Sequence, residues 1–142
     1  SNTKVNEIAD LMFTDLGIDI IRFKTWYYPD NYPTNKEVSN MSNNGDNDYA
    51  KAHWDATNQL YTLAKQRNPN VKVLLSSWGP PISLKDNNKL REGTLKKNEN
   101  GFMYDEFAEY WNNLLDYTPF NPDYISIQNE PTYTNSNWTT CR

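Results

Sequence analysis

The residues best placed to do chemistry are Gln128-Asn129-Glu130-Pro131. The run before them, Asp123-Tyr-Ile-Ser-Ile-Gln128, is short and rich in β-branched and aromatic residues, and reads as a strand. Glu130 therefore falls at a strand end, where Pro131, which has no N–H for a ladder, stops the pairing. Glycoside hydrolysis needs a carboxylic acid held beside a bound sugar to protonate the leaving oxygen. The amide of Asn129 both donates and accepts hydrogen bonds next to it. A lone Glu carries no signal, because most are solvated surface groups. Asn-Glu-Pro at the end of a parallel strand is a sharper one.

The elements that must position this carboxylate alternate regularly. Thr3 to Leu16 has Val5, Ile8, Ala9, Met12 and Leu16 at helical spacing, with Gly17 as a terminator. Ile18 to Lys24 reads as a strand. Trp26 to Asn47 is loop-like, and a connection of that length usually carries function. Asp48 to Arg67 is helical through Tyr49, Ala52, Ala56, Leu60, Leu63 and Ala64, and Asn68-Pro69 ends it. Val71 to Ser76 is a second strand, apolar enough for a buried parallel sheet. Ser77 to Gly101 reads as a second polar loop. Tyr104 to Tyr117 is a third helix through Tyr104, Phe107, Ala108, Trp111, Leu114 and Leu115, and Asp123 to Gln128 is the third strand. The order α-β-α-β-α-β predicts an α/β fold with parallel strands. The loops after strands are long and rich in Trp, Tyr, Asn and Pro, whereas those before strands are short. A (β/α)8 TIM barrel builds its active site from the loops after its strands. A flavodoxin-like open sheet stays open on element order alone, although no G-x-G-x-x-G phosphate loop follows a strand.

Composition narrows the chemistry further. The 142 residues carry 14 basic and 18 acidic side chains, a net charge of −4 and a pI of about 4.9, which argues against nucleic acid as a partner. No apolar stretch approaches the roughly 20 residues of a membrane helix, so no membrane partner is expected. One Cys (Cys141) and one His (His53) exclude an intrachain disulfide and zinc spacings. His53 lies in a helical pattern, a poor place for a triad base. Mean hydropathy is −0.92, yet 14% of residues are aromatic, a pairing that suits a polar, ring-shaped ligand such as a sugar as well as a packed core.

Ile125-Ser-Ile-Gln-Asn-Glu-Pro131 resembles the fourth-strand motif of family 30 glycoside hydrolases, retaining enzymes with (β/α)8 barrels. Ser76-Ser-Trp-Gly-Pro-Pro81, Leu84-Lys85 and Gly93-Thr-Leu95 are similar to that family's Trp-Ser-Pro-Pro loop and the Gly-Ser/Thr-Leu segment after it, with Gly79 where Ser is commoner. Ile20-Ile-Arg-Phe23 resembles its second strand, and Trp138 to Cys141 the segment after the acid/base. The resemblance spans nearly the whole chain, from helix 1 to strand 4 of the barrel. It implies Glu130 as acid/base and Asn129 as the partner of the sugar 2-hydroxyl in the −1 subsite. It implies Arg22 inside the barrel near a second carboxylate, Trp78 as a wall of the −1 region, and Tyr133 and Trp138 lining the cleft. The nucleophile would lie on a later strand outside this chain, since a whole barrel takes about 250 residues. Residues 1–142 are thus expected to be an incomplete part of one catalytic domain, inactive alone.

The implied activity is an endo-β-1,4-xylanase of the xylanase/glucuronoxylanase branch, with β-1,6-glucan and glucosylceramide as the substrates of other members. No cofactor or metal is implied. The partner is a polysaccharide, the complete enzyme a monomer, and the location extracellular, from the substrate class alone. A non-catalytic carbohydrate-binding domain is the competing reading. Plainer roles compete residue by residue. Arg22 suits a structural ion pair, Trp78 loop packing beside Pro80-Pro81, and Tyr133 and Trp138 ordinary surface. Trp54 and Trp111 suit packing and Cys141 an inert thiol. Trp26 and Tyr27 follow the first strand. Asn40-Met-Ser42 and Asn137-Trp-Thr139 match the glycosylation pattern.

Overall fold

A computed structural model describes residues 2–25, 47–89, 91–133 and 141. The order is α1 (Asn2–Ala9) with a wider π turn (Asp10–Asp15), β1 (Ile20–Lys24), α2 (Asn47–Arg67) and β2 (Lys72–Ser76). A 3-10 turn (Ile82–Leu84), β3 (Lys97–Asn98), β4 (Gly101–Phe102), α3 (Tyr104–Tyr117) and β5 (Tyr124–Ser126) follow.

The three expected strands form one parallel sheet in the spatial order β1-β2-β5. Register sets Arg22 beside Leu74, Lys24 beside Ser76, and Ser76 beside Ser126. Strands succeed one another in chain order, so consecutive crossovers of one hand put their helices on one face. Burial agrees: Ile21, Phe23, Val73 and Leu75 are buried under the helices, while Ile20, Arg22 and Tyr124, on the alternate positions, are exposed. A doubly wound sheet would cover both faces. Among the described residues only one face of the sheet is covered by helices.

The covered face is packed with rings. Phe120, in the link before β5, stacks on Tyr61 at 4.7 Å and meets Phe23 at 5.5 Å and Trp54 at 6.4 Å between centroids. It joins β1, α2 and the approach to β5 in one contact set, the kind of ring packing that adds to area burial. Trp54 and Trp111 are buried packing residues, as expected. At the other end of the sheet, Asp123 accepts hydrogen bonds from Lys72 Nζ (2.8 Å) and the Val73 N–H (2.9 Å), which sets the start of β5 against β2.

Several sequence expectations need correction. The first helix is not regular to Leu16. The Leu16 N–H reaches Leu11 O five residues back, and this wider turn, ending at Gly17 with φ +63°, brings Phe13 into the core and leaves Ile8 and Leu16 exposed. The inward stripe of α2 runs through Trp54, Leu60, Tyr61, Leu63 and Ala64, whereas Ala52 and Ala56, expected on it, are exposed. Tyr104 opens α3 on its exposed side, and Tyr110 takes the buried place. The segment 77–101 is not plain loop: the 3-10 turn and the β3–β4 hairpin lie within it.

Candidate active site

The carboxyl edge of the sheet gathers Arg22 and Lys24 from β1, Ser76, Ser77 and Trp78 from the end of β2, and Asn129-Glu130 from beyond β5. Backbone pairing continues past the strands and places them. Thr25 N–H donates to Ser76 O (2.8 Å), Ser77 N–H to Ser126 O (3.0 Å), and Asn129 N–H to Ser77 O (2.8 Å). The last of these fixes Asn129 at the rim regardless of its side chain.

Arg22 is the hub. Its Nη2 donates to Asn129 Oδ1 at 2.6 Å and to Ser76 Oγ at 2.8 Å. Its Cζ lies 5.1 Å from the centroid of the Trp78 ring, and Lys24 Nζ lies 5.5 Å from the same centroid. Two cations at one indole make an electrostatic contact of the cation–π kind. Burial pulls the Lys24 ammonium below the ordinary lysine range. The Asn129 Nδ2 donates to Glu130 Oε2 at 3.3 Å, so the chain Ser76–Arg22–Asn129–Glu130 is continuous.

Glu130 adopts φ +47°, a left-handed conformation that side chains other than Gly rarely take. Its carbonyl accepts from the Tyr133 N–H at 2.9 Å, closing a turn over Glu130–Tyr133. Strain of this kind collects where a side chain must be aimed rather than merely packed. The Glu130 carboxylate is exposed beside the Asn129 amide, open to a ligand entering over the sheet edge.

The neighbouring loop is built, not loose. Ser77 Oγ accepts from the Gly79 N–H at 3.1 Å and turns the chain into Pro80-Pro81. The Gly93-Thr-Leu95 segment folds back on Leu84-Lys85: Leu95 bridges Lys85, Asp86 N–H donates to Thr94 O (3.0 Å), and Thr94 N–H donates to Asp86 Oδ1 (2.7 Å). Gly93 has φ +69°, and a Cβ there would lie 2.5 Å from Asp86 Oδ1, so any other residue is strained there and the Asp86 and Asn87 side chains would have to shift. The two motif pieces of this loop are thus one structural unit. Lys85, fully buried beneath it, is held down to about 8 by burial, partly offset by Cys141, Asp86 and Glu92. Burial pushes the Cys141 thiol up, and Gln128 Nε2 donates to the Cys141 carbonyl.

The structure therefore brings together Arg22, Trp78, Asn129 and Glu130 of the expected set. Tyr133 is half exposed on the turn after Glu130. Trp138, Trp26, Tyr27 and both Asn-x-Ser/Thr sites lie outside the described residues. Sequence reasoning missed Ser76, Ser77 and Lys24. The signal available for the serines was the switch from apolar to small polar residues at the end of β2.

No protein-family model matches this sequence, and no curated protein matches it. Solved structures do. They include SrfJ from Salmonella typhimurium (TM-score 0.68, 21% identity, 99% of this chain and 32% of that one). The glycoside hydrolase family 30 subfamily 8 xylanase Xyn30A from Clostridium acetobutylicum matches at TM-score 0.63 and 22% identity, over 96% and 31% of the two chains. The endo-β1,6-glucanase BT3312 matches at TM-score 0.67 and 16% identity, over 96% and 32%. The fold is thus the α/β fold of family 30 glycoside hydrolase structures. The chain spans about a third of the length of the structures it matches.

Proposed function

We propose that this chain is the N-terminal part, helix 1 to strand 4, of the (β/α)8 catalytic domain of a retaining glycoside hydrolase acting on β-1,4-xylan, with glucuronoxylan a candidate substrate. The observation that carries the reading is the placement of Glu130, at the carboxyl edge of a parallel sheet, aimed by a left-handed turn, and in contact with Asn129, itself held by Arg22. Glu130 protonates the leaving oxygen and then takes the proton of the attacking water. Asn129 presents its amide to the 2-hydroxyl of the sugar being cleaved. Arg22 places positive charge inside the barrel, where a carboxylate nucleophile from a later strand completes the double displacement. Tyr133, half exposed on the turn after Glu130, lines the cleft.

Packing supports an incomplete barrel. Among the described residues β1 and β5 each pair on one side only. Ile125 in β5 and Ile127 just after it are exposed, and Ile127 lines a groove of about 590 Å³ with Phe102, Tyr104 and Trp111. Trp111 Nε1, itself buried, has no acceptor among the described residues. An apolar groove with an orphaned donor is the seat of another element of the same fold. No described helix is long and apolar enough to cross a membrane, and a polymeric substrate places the enzyme outside the cell. The complete enzyme acts as a monomer.

The test is the full-length protein assayed on glucuronoxylan, arabinoxylan and β-1,6-glucan, the last because one of the matched structures is a β-1,6-glucanase. Release of products with retained anomeric configuration, lost in Glu130→Gln, is the expected result. Sugar binding that persists unchanged in Glu130→Ala, with no turnover of any glycan by the wild type, would instead establish a binding-only domain. Residues 1–142 alone should give no turnover.

A further inference from the structure

We infer that Ser76 is a positioning residue that selects the amide orientation of Asn129, and through it the contact made to Glu130. The inference rests on the glycosidase reading above for its catalytic consequence, but its geometry is independent of that reading. A guanidinium only donates. The two N–H groups of Arg22 Nη2 are aimed at two acceptors, Ser76 Oγ at 2.8 Å and Asn129 Oδ1 at 2.6 Å. The amide must therefore turn its oxygen to Arg22 and its Nδ2 to the Glu130 carboxylate, at 3.3 Å. The flipped amide would set donor against donor at Arg22 and acceptor against acceptor at Glu130.

Ser76 is the rigid end of this chain of contacts. It has no exposed surface, it pairs with Lys24 on one side and Ser126 on the other, and its carbonyl is held by Thr25 N–H. Arg22 is long and exposed by comparison. Without the Ser76 hydroxyl, one Nη2 N–H loses its acceptor, the guanidinium is held only by the Trp78 ring and by Asn129 itself, and the hold on the Asn129 amide loosens. Ser76 itself is buried behind Arg22, so it acts on Asn129 and not on the sugar.

A double-mutant cycle in the full-length enzyme tests this. Ser76→Ala should lower kcat about tenfold or more, with KM changed by less than about twofold. In an Asn129→Ala background the same substitution should change kcat by less than about twofold, because the group it positions is gone. Equal losses in both backgrounds, or no loss in either, overturn the inference. Ser76→Cys, similar in volume and a poor acceptor, serves the same cycle if Ser76→Ala does not fold. A readout free of turnover is the Asn129 side-chain amide in a 15N spectrum. Its two protons should be distinct and slow to exchange in the wild type and should move toward unstructured positions in Ser76→Ala. Unchanged signals overturn the inference whether or not the wild type cleaves xylan, whereas loss of turnover by the wild type on every glycan removes only the glycosidase reading.

Discussion

Arg22 and Asn129 stand 107 positions apart in the chain and meet side chain to side chain, Nη2 to Oδ1 at 2.6 Å. The contact crosses β2 from the first strand of the sheet to the last. It ties the residue that precedes Glu130 to a fixed cation and makes the sheet edge one unit rather than three strand ends.

Arg22→Ala should therefore disable Glu130 without touching it. In the full-length enzyme kcat should fall about a hundredfold, since a misplacement of about 1 Å at a reacting centre costs that much. The protein should melt within a few degrees of the wild type, because Arg22 is exposed on the uncovered face. Steady-state kinetics beside a thermal melt separate the two effects. A large loss of stability with unchanged kcat in the folded fraction would make Arg22 structural.

The acid role proposed for Glu130 predicts dependence on the leaving group. Glu130→Gln should lose about a hundredfold or more in glycosylation of xylan, whose sugar leaving group needs a proton. It should lose far less on an aryl xyloside with an acidic phenol, which leaves without one. Equal losses on both substrates would remove the acid assignment.

Gly93→Ala should destabilise the fold by about 1–3 kcal/mol, because Ala at φ +69° is strained and its Cβ would lie 2.5 Å from Asp86 Oδ1. Denaturant unfolding measures the loss. Asp86→Ala in the same chain should relieve only part of the steric loss, because Asn87 Cγ lies 2.6 Å from the same Cβ, and should leave the conformational part. A Gly93→Ala protein as stable as the wild type would show that the loop has another conformation open to it.

Lys85 predicts the alkaline limb of stability. Its ammonium is held down to about 8 in the folded state, against 10.5 in the unfolded chain. Between these values Lys85 is protonated only in the unfolded state, so its contribution to stability rises as pH rises from about 8 to about 10.5, by at most about 3 kcal/mol, while the raised Cys141 thiol acts in the opposite sense above 9. Below 8 both states are protonated and the burial cost is constant. Melts of Lys85→Met should lack this rise. A wild-type curve flat or falling across the interval, relative to Lys85→Met, would refute the prediction.

What could be read from residues alone follows from short-range physics. Alternation of β-branched runs with 3.6-period stripes dictated three parallel strands and three helices, and the structure has them, with Tyr104–Tyr117 at the expected bounds. Pro131 and the polar loops after strands marked the working edge. The sequence left a doubly wound sheet open. The arguments against it come only from the tertiary structure, because strand order and the burial of Ile21, Phe23, Val73 and Leu75 with Ile20 and Tyr124 exposed are properties of the assembled sheet. The π turn that buries Phe13 also escaped the pattern, because its five-residue hydrogen bond departs from the 3.6 period, and so did the Phe120 ring cluster, whose partners are distant in the chain. The same holds for the site. Asn129-Glu130 was legible as a local motif at a strand end. The serines behind it were not, because a buried Ser76 reads like any small residue until a parallel register places its hydroxyl beneath Arg22.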